Sequence, residues 1–431
     1  MIPSTDVALP SDDRLPSTSG VATRRVGLRG NWDRSRTGRL LAFAVFVGLA
    51  VFNVWWYRRD SRPLPALREV SEWISQERYQ DAKEMLREHL RRSPHYVEAR
   101  MMLARALAGA GDLLACAREL HAVPHWSPSK PEAVFREGQC YFEANHAKDS
   151  EAAWLALINE DPLHPISPEL MHDGCQALLK LYAIEDRWED AFPVIWTAYD
   201  HALPVDRPVL LMMRMRTELE RIAPKESIPV LERYIAAQPD DWEAQRALAR
   251  AQLAVGRLDE AARHFEIILA ARPDDFRAWR DFLNMRLDTG NLESFLVLLG
   301  KPPQSAENEP ETWFFRGVAS DKKGDLASAV DSYQKAIELN PFVPGYHYRL
   351  GMAQERLGKR EEAATHRKKS QEINNARAKL PAAYSHYFEV AESGDKPAIA
   401  NACRQLAGIC DKMGWGRAAQ AWKRLAIEGQ L

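Results

Sequence analysis

The sequence predicts an all-α protein, a superhelical solenoid of about nine to ten helix pairs preceded by one N-terminal transmembrane helix. Three observations carry that reading. Ala, Leu, Arg and Glu dominate the 431 residues and Val- or Ile-rich alternating runs are rare, which favours helices over strands. A set of small, aromatic and Pro residues returns every 34 positions through the second half of the chain. Residues 40–57 contain no charge at all. The composition also excludes several classes. With 22 Gly, 26 Pro and 5 Cys the chain is neither collagen-like nor a disulfide scaffold. A net charge of −2 argues against nucleic-acid binding driven by bulk charge.

Taken in order, residues 1–39 hold seven Arg and four Asp, with frequent Pro, Ser, Thr and Gly. This basic tail lacks apolar periodicity and is expected to be disordered, because it cannot bury enough surface to offset its ordering entropy. Leu40 to Tyr57 reads LLAFAVFVGLAVFNVWWY. As a helix it would span about 27 Å, close to a bilayer core of ~30 Å. Arg36 and Arg39 precede it, Arg58, Arg59 and Arg62 follow, and Trp55, Trp56 and Tyr57 suit the headgroup layer at one edge. The long leading segment and the Trp-Trp-Tyr-Arg-Arg exit fit an uncleaved signal-anchor better than a cleaved signal peptide. Six Arg before the span against four soon after it favour the N-terminus inside, with the large C-terminal region on the non-cytoplasmic side. Residues 58–62 form a linker.

The clearest repeat starts at Pro310. Trp313, Gly317, Gly324, Ala329, Tyr333, Ala336 and Pro341 fall at its positions 4, 8, 15, 20, 24, 27 and 32. Steps of 34 give units from Pro344 (Leu350, Gly351, Gly358, Ala363), Phe276 (Trp279, Gly290), Trp242 (Leu248, Gly256, Ala261, Phe265, Pro273) and Pro208 (Pro239). A second frame holds units from Pro63 (Ala82, Leu86, Pro94), Val97 (Leu103, Gly111, Pro128) and Pro131 (Gly138, Tyr141, Trp154, Pro162). A weaker unit starts near His172, after seven extra residues around Pro165–Pro168 that read as an inter-repeat loop. Nine units thus occupy 63–377. Residues 378–431 read as a C-terminal cap, with a helix over Ala382–Glu392 and a degenerate tenth unit from about Ala400.

This spacing resembles the tetratricopeptide repeat (TPR), a pair of antiparallel helices, A and B. The resemblance implies a right-handed superhelix with a concave groove. The physical roles of the positions follow directly. Small residues at 8 and 20 let helices A and B approach, and Gly at 15 ends helix A in a left-handed cap without a Cβ penalty. Pro near 32 stops helix B. One pair cannot bury its apolar face alone, so neighbouring units share a continuous core. The unit from Phe276 departs from the pattern, with Phe295 at position 20, a short helix B over Leu292–Leu299, and Gly300-Lys301-Pro302-Pro303 after it. A bent joint is expected there.

Chemistry is sparse. No phosphate-binding loop, zinc-protease or nucleophile-elbow motif is present. The five cysteines read as isolated core residues, and Cys403 and Cys410 are ~10 Å apart along one helix. His121 and His125 are separated by Pro124, against helical metal geometry. Asp240-Asp241 and Asp274-Asp275 suit helix N-caps. No catalytic residue, cofactor, metal or small-molecule substrate is expected, and no nucleic acid.

Binding remains. The family's groove is lined from helix A, and positions 2, 5 and 9 here give Arg105, Lys180, Arg216, Arg246, Arg250, Arg277, Arg280 and Asn284. One reading is a basic groove for an acidic or extended peptide segment. The other is a solvated face with local pairs such as Glu243 with Arg246. Cochaperones of the family that grip a C-terminal carboxylate use Lys, Asn and Arg at five set positions over three units. Here Arg280, Asn284 and Arg349 fit loosely, whereas Phe315 and Gly345 lack the polar group. Phe314 and Tyr348 offer an aromatic patch instead. The expected function is a membrane-anchored scaffold for protein–protein interaction, in assembly or chaperone-like work near the membrane. The alternative is a noncatalytic subunit that recruits substrates to a separate enzyme.

Overall fold

The structure is a computed structural model and describes residues 65–159, 166–202, 206–219 and 221–428, without the side chains of 215–219 and Glu428. The basic tail 1–39, the proposed span Leu40–Tyr57 and the linker 58–62 lie outside the described residues. Among the described residues, no helix is long and apolar enough to cross a membrane.

Twenty α-helices and one short 3-10 turn follow one another as antiparallel pairs among the described residues. The first three pairs are α1 (Leu67–Ser75) with α2 (Tyr79–Arg92), α3 (Val97–Gly109) with α4 (Leu113–His121), and α5 (Lys130–Glu143) with α6 (Ala147–Ile158). Next come α7 (Pro168–Ile184) with α8 (Trp188–His201), α9 (Arg207–Leu219) with α10 (Pro224–Ala237), and α11 (Trp242–Ala254) with α12 (Leu258–Ala271). Then α13 (Phe276–Asp288) pairs with α14 (Leu292–Leu299), α15 (Pro310–Lys323) with α16 (Leu326–Leu339), and α17 (Pro344–Arg356) with α18 (Arg360–Ser393). Finally α19 (Lys396–Lys412) pairs with α20 (Gly416–Glu428).

Local chemistry sets these bounds. Position 15 is left-handed in most units. Gly324 adopts φ 83° there at no Cβ cost, and Glu77, Asn145 and Asp186 take the same conformation with φ of 61°, 62° and 52°. Asp241 and Asp275 cap α11 and α13, each accepting from the backbone N–H three residues on at 3.0 Å. Close approach within pairs depends on the missing side chain at position 8. A Cβ on Gly317 would lie 2.5 Å from the Tyr333 ring.

Two boundaries differ from the sequence reading. The fourth unit does not begin at His172 after a long loop. Ser167 accepts from Leu170 N–H and Pro168 occupies the first helical turn, so α7 starts four residues earlier. Nor does the chain break at 378. α18 runs 34 residues through Pro381 and stops only at Gly394, in the left-handed conformation. The reason lies at position 32, where Pro341 ends the preceding unit but Asn375 stands in this one, and nothing halts the helix.

The C-terminal helices do more than cover the last repeat. Tyr387, Cys410, Met413 and Trp422 share one buried apolar cluster with Tyr182, Ile195, Leu211 and Tyr234 of the fourth and fifth pairs. Arg214 on α9 lies between the rings of Phe192, 3.3 Å away, and Trp415, 4.0 Å away. Arg417 lies over Trp196 at 4.4 Å and donates to Asp200 at 2.6 Å. In the seventh pair, Phe295 is fully buried and meets Phe315 edge-on at 6.0 Å, and a 3-10 turn over Gln304–Asn308 bridges the gap left by the short α14. Phe315 is therefore a core residue and not a groove position.

Gly317→Ala is expected to lower stability by about 1–3 kcal/mol through overpacking against Tyr333. Gly345→Ala, with open space around its Cβ, is expected to be neutral or to stabilise by up to about 1 kcal/mol. Urea unfolding of the two variants checks the contrast. Equal effects would show that position 8 is not a close-packing site.

Candidate functional site

The residues singled out as a basic groove divide into two groups. Arg246, Arg250, Arg277 and Arg280 stand on the A helices α11 and α13, and all four are held by carboxylates of the same chain. The Arg246 side chain is only 4% exposed and donates to Glu243 at 2.8 Å and Asp281 at 3.0 Å. Arg250 donates to the Asp186 carboxylate and, at 3.0 Å, to its backbone carbonyl. Arg277 forks onto both oxygens of Asp190 at 2.7 Å, and Arg280 reaches Glu189 at 2.8 Å. At the centre sits Arg187, also buried, with Glu151 at 2.8 Å, Glu185 at 2.9 Å and Asp190 at 2.8 Å.

These contacts form one network. Residues 185–190, the turn after α7 and the first residues of α8, point across to the A helices of the sixth and seventh pairs. Asp186 adopts its left-handed conformation there and accepts from the Trp188 indole N–H at 2.6 Å as well as from Arg250. Glu311 on α15 closes one end, 4.0 Å from Arg280, and Arg221 the other, 3.7 Å from Asp186. Eight carboxylates meet six guanidiniums. The middle of the groove is thus carboxylate-rich, which corrects the expectation of a basic surface. Its arginines already have their forked partners.

Position within the network sets the acidities. Burial alone would raise Asp190, Glu243 and Asp281, but the facing arginines more than offset it and hold these carboxyls below their ordinary range. Burial wins at Glu185, whose carboxyl is pushed up to about 8 despite Arg187, and it also raises Asp241 and Glu311.

The second group is open to solvent. Arg105, Lys180, Asn284 and Tyr348 are exposed on A helices. The Lys180 ammonium lies 5.0 Å from the centre of the Phe142 ring. Tyr348 is 51% exposed, and Met352, one turn on, is 37% exposed. Phe314, the same repeat position one unit earlier, is half-buried and packs on Tyr346 at 5.1 Å. The side chain of Arg216 lies outside the described residues. His121 bonds Glu137 at 2.9 Å. Among the described residues no group of three or more His, Cys, Asp or Glu is placed to hold a metal ion.

Sequence reasoning missed most of the acidic half of the network, Glu151, Glu185, Asp186, Glu189, Asp190, Asp281 and Glu311. Only Glu243 with Arg246 was visible as an i,i+3 pair. The Arg280–Glu189 contact spans 91 residues, beyond any local pattern. Asp186 in place of Gly at position 15 was the one readable signal.

Arg246→Ala is expected to cost about 1–3 kcal/mol, because it takes one guanidinium from the buried Asp281 and leaves it to Arg280 and Arg250, while exposed Arg105→Ala changes stability by less than ~0.5 kcal/mol. Glu185 gives a pH signature. Folded, it keeps its proton to about pH 8; unfolded, it releases it near 4.5. The folded state binds more protons in that window, so its contribution to stability falls as pH rises through it. Glu185→Gln is expected to remove that loss, so the variant's thermal midpoint gains on the parent between pH 5 and 8. A pH-independent difference would contradict the assignment.

Two family models match parts of the repeat region. Residues 74–132 and 219–285 match the family model described as tetratricopeptide repeat, and residues 322–358 match a second one described as TPR repeat. Among solved structures, the chain is similar to MamA 41-end from Desulfovibrio magneticus RS-1, at 24% identity over 39% of this chain and 96% of that one, with a TM-score of 0.32. It is similar to MamA MSR-1 at 23% identity over 40% and 96%, TM-score 0.30. No curated protein matches the sequence. These three segments of the chain are similar to tetratricopeptide repeats.

Proposed function

We propose that the chain is a membrane-anchored repeat scaffold that binds an extended protein segment through apolar and aromatic side chains on its late A helices, in assembly or chaperone-like work near the membrane. The observation that carries this reading is the contrast along the A-helix face. The central arginines are saturated by carboxylates of the chain, whereas Tyr348 and Met352 stand exposed on α17, the Met352 sulfur meeting only an N–H of Arg367 at 3.7 Å. An extended segment laid across this face would bury them. Among the described groove positions, Arg105 and Lys180 are the exposed cations left for an acidic segment. The charge-free stretch Leu40–Tyr57 with its Arg and Trp-Tyr flanks supports the anchor, and the Arg excess before it supports a cytoplasmic N-terminus with the repeats on the other side.

The test is cross-linking and capture from detergent extracts with the full-length protein. Tyr348→Ala with Met352→Ala is expected to reduce the captured partner by about tenfold, while Arg105→Glu alone has a smaller effect. Undiminished capture by the double variant would sink the aromatic-face reading. For orientation, protease added to the cytoplasmic side of sealed vesicles is expected to leave the repeats intact. Their digestion from that side would reverse the topology.

A further inference from the structure

Cys116 lies on α4, the B helix of the second pair, and Cys140 on α5, the A helix of the third. They are 24 residues apart in sequence, yet stacking of the two pairs brings their Sγ atoms to 2.7 Å. Unbonded heavy atoms as small as carbon keep ~3.5–4.0 Å, and a disulfide closes to ~2.05 Å. The two sulfurs are therefore already inside ordinary non-bonded contact, on facing helices of neighbouring units. Both side chains are buried, Cys116 at 2% and Cys140 at 7% relative exposure.

We propose that Cys116 and Cys140 form a disulfide site that covalently joins the second and third repeat pairs when the chain meets an organic disulfide as oxidant.

The chemistry assigns a role to each sulfur. In the S–H···S contact either sulfur can donate; the contact holds the Cys140 thiol below its ordinary range, while the same contact and burial push the Cys116 thiol up. The Cys140 thiolate attacks one sulfur of the oxidant R–S–S–R, forming a mixed disulfide and releasing one R–S⁻. Cys116 then gives its proton to the released R–S⁻, and its thiolate attacks the Cys140 sulfur, releasing the second R–S⁻, which takes a proton from solvent. Two protein thiols are oxidised to one disulfide, and one oxidant disulfide is reduced to two thiols. The remaining cysteines are placed otherwise. Burial pushes Cys175 up to about 12, Cys403 to about 11 and Cys410 to about 12, and the last two are held ~10 Å apart by two turns of α19. The bond would fasten two neighbouring pairs that otherwise meet through packing and the hydrogen bonds of His121 with Glu137 and of Lys130 with the His121 carbonyl.

The experiment uses the full-length protein in detergent, incubated with oxidised glutathione, denatured and treated with a maleimide. Of the five cysteines, three are expected to take the label, the intact mass falls by two hydrogens, and a proteolytic digest yields one cross-linked peptide pair joining Cys116 to Cys140. Prior reduction restores all five labels. Five labels after oxidation, or a bond involving Cys175, Cys403 or Cys410, would overturn the proposal. Cys116→Ser is expected to leave Cys140 carrying one glutathione, because nothing then displaces it. If that substitution unfolds the chain, the label count on the parent protein still decides.

Discussion

The buried arginine–carboxylate network ties the turn after α7 to α11, α13 and α15. A repeat stack held only by nearest neighbours has each pair touching the next, and stability accumulates along one dimension. Here Arg187, Arg246 and Arg277 bind carboxylates from the third, fourth, sixth and seventh pairs. The consequence is long-range cooperativity. Removing one charge leaves a partner stranded at low dielectric, so the cluster behaves as a unit and not as separable surface pairs. It also decides what the groove can offer a ligand, because guanidiniums that already hold forked carboxylates are not available to a second acid.

Apolar packing works to the same end from the other side. The last helices return to the middle of the stack, where Trp422, Tyr387 and Met413 join the core of the fourth and fifth pairs and Arg214 lies between Phe192 and Trp415. The long α18 makes this return possible by carrying the chain well past the usual end of a B helix. The fifth pair is thereby held between its neighbours and the C-terminal pair, and the surface left open shifts toward the ends of the A-helix face, where Arg105 and Tyr348 stand.

Much of the fold was legible because its determinants are local and periodic. The 34-residue step, the left-handed position 15 and the Asp caps at 241 and 275 each act within a few residues of themselves. The boundaries at 172 and 378 were misread where a stop signal was replaced by a continuing one, Ser167-Pro168 opening a helix early and Asn375 failing to end one. The site was far less legible. Arg246 and Arg277 were found by their repeat positions, but their partners lie 35 and 87 residues away, and only the folded stack brings them together. The same holds for Cys116 and Cys140, at positions 20 and 10 of adjacent units, which read as core residues one at a time.

The central claim is that the groove arginines bind the chain itself. A double-mutant cycle on Arg277 and Asp190, using Arg277→Ala, Asp190→Ala and the pair in equilibrium unfolding, tests it most directly. The account predicts a coupling of about 1.5–3 kcal/mol. Additivity within ~0.5 kcal/mol would mean that the two side chains do not interact in solution, and that Arg277 is free to meet a ligand after all.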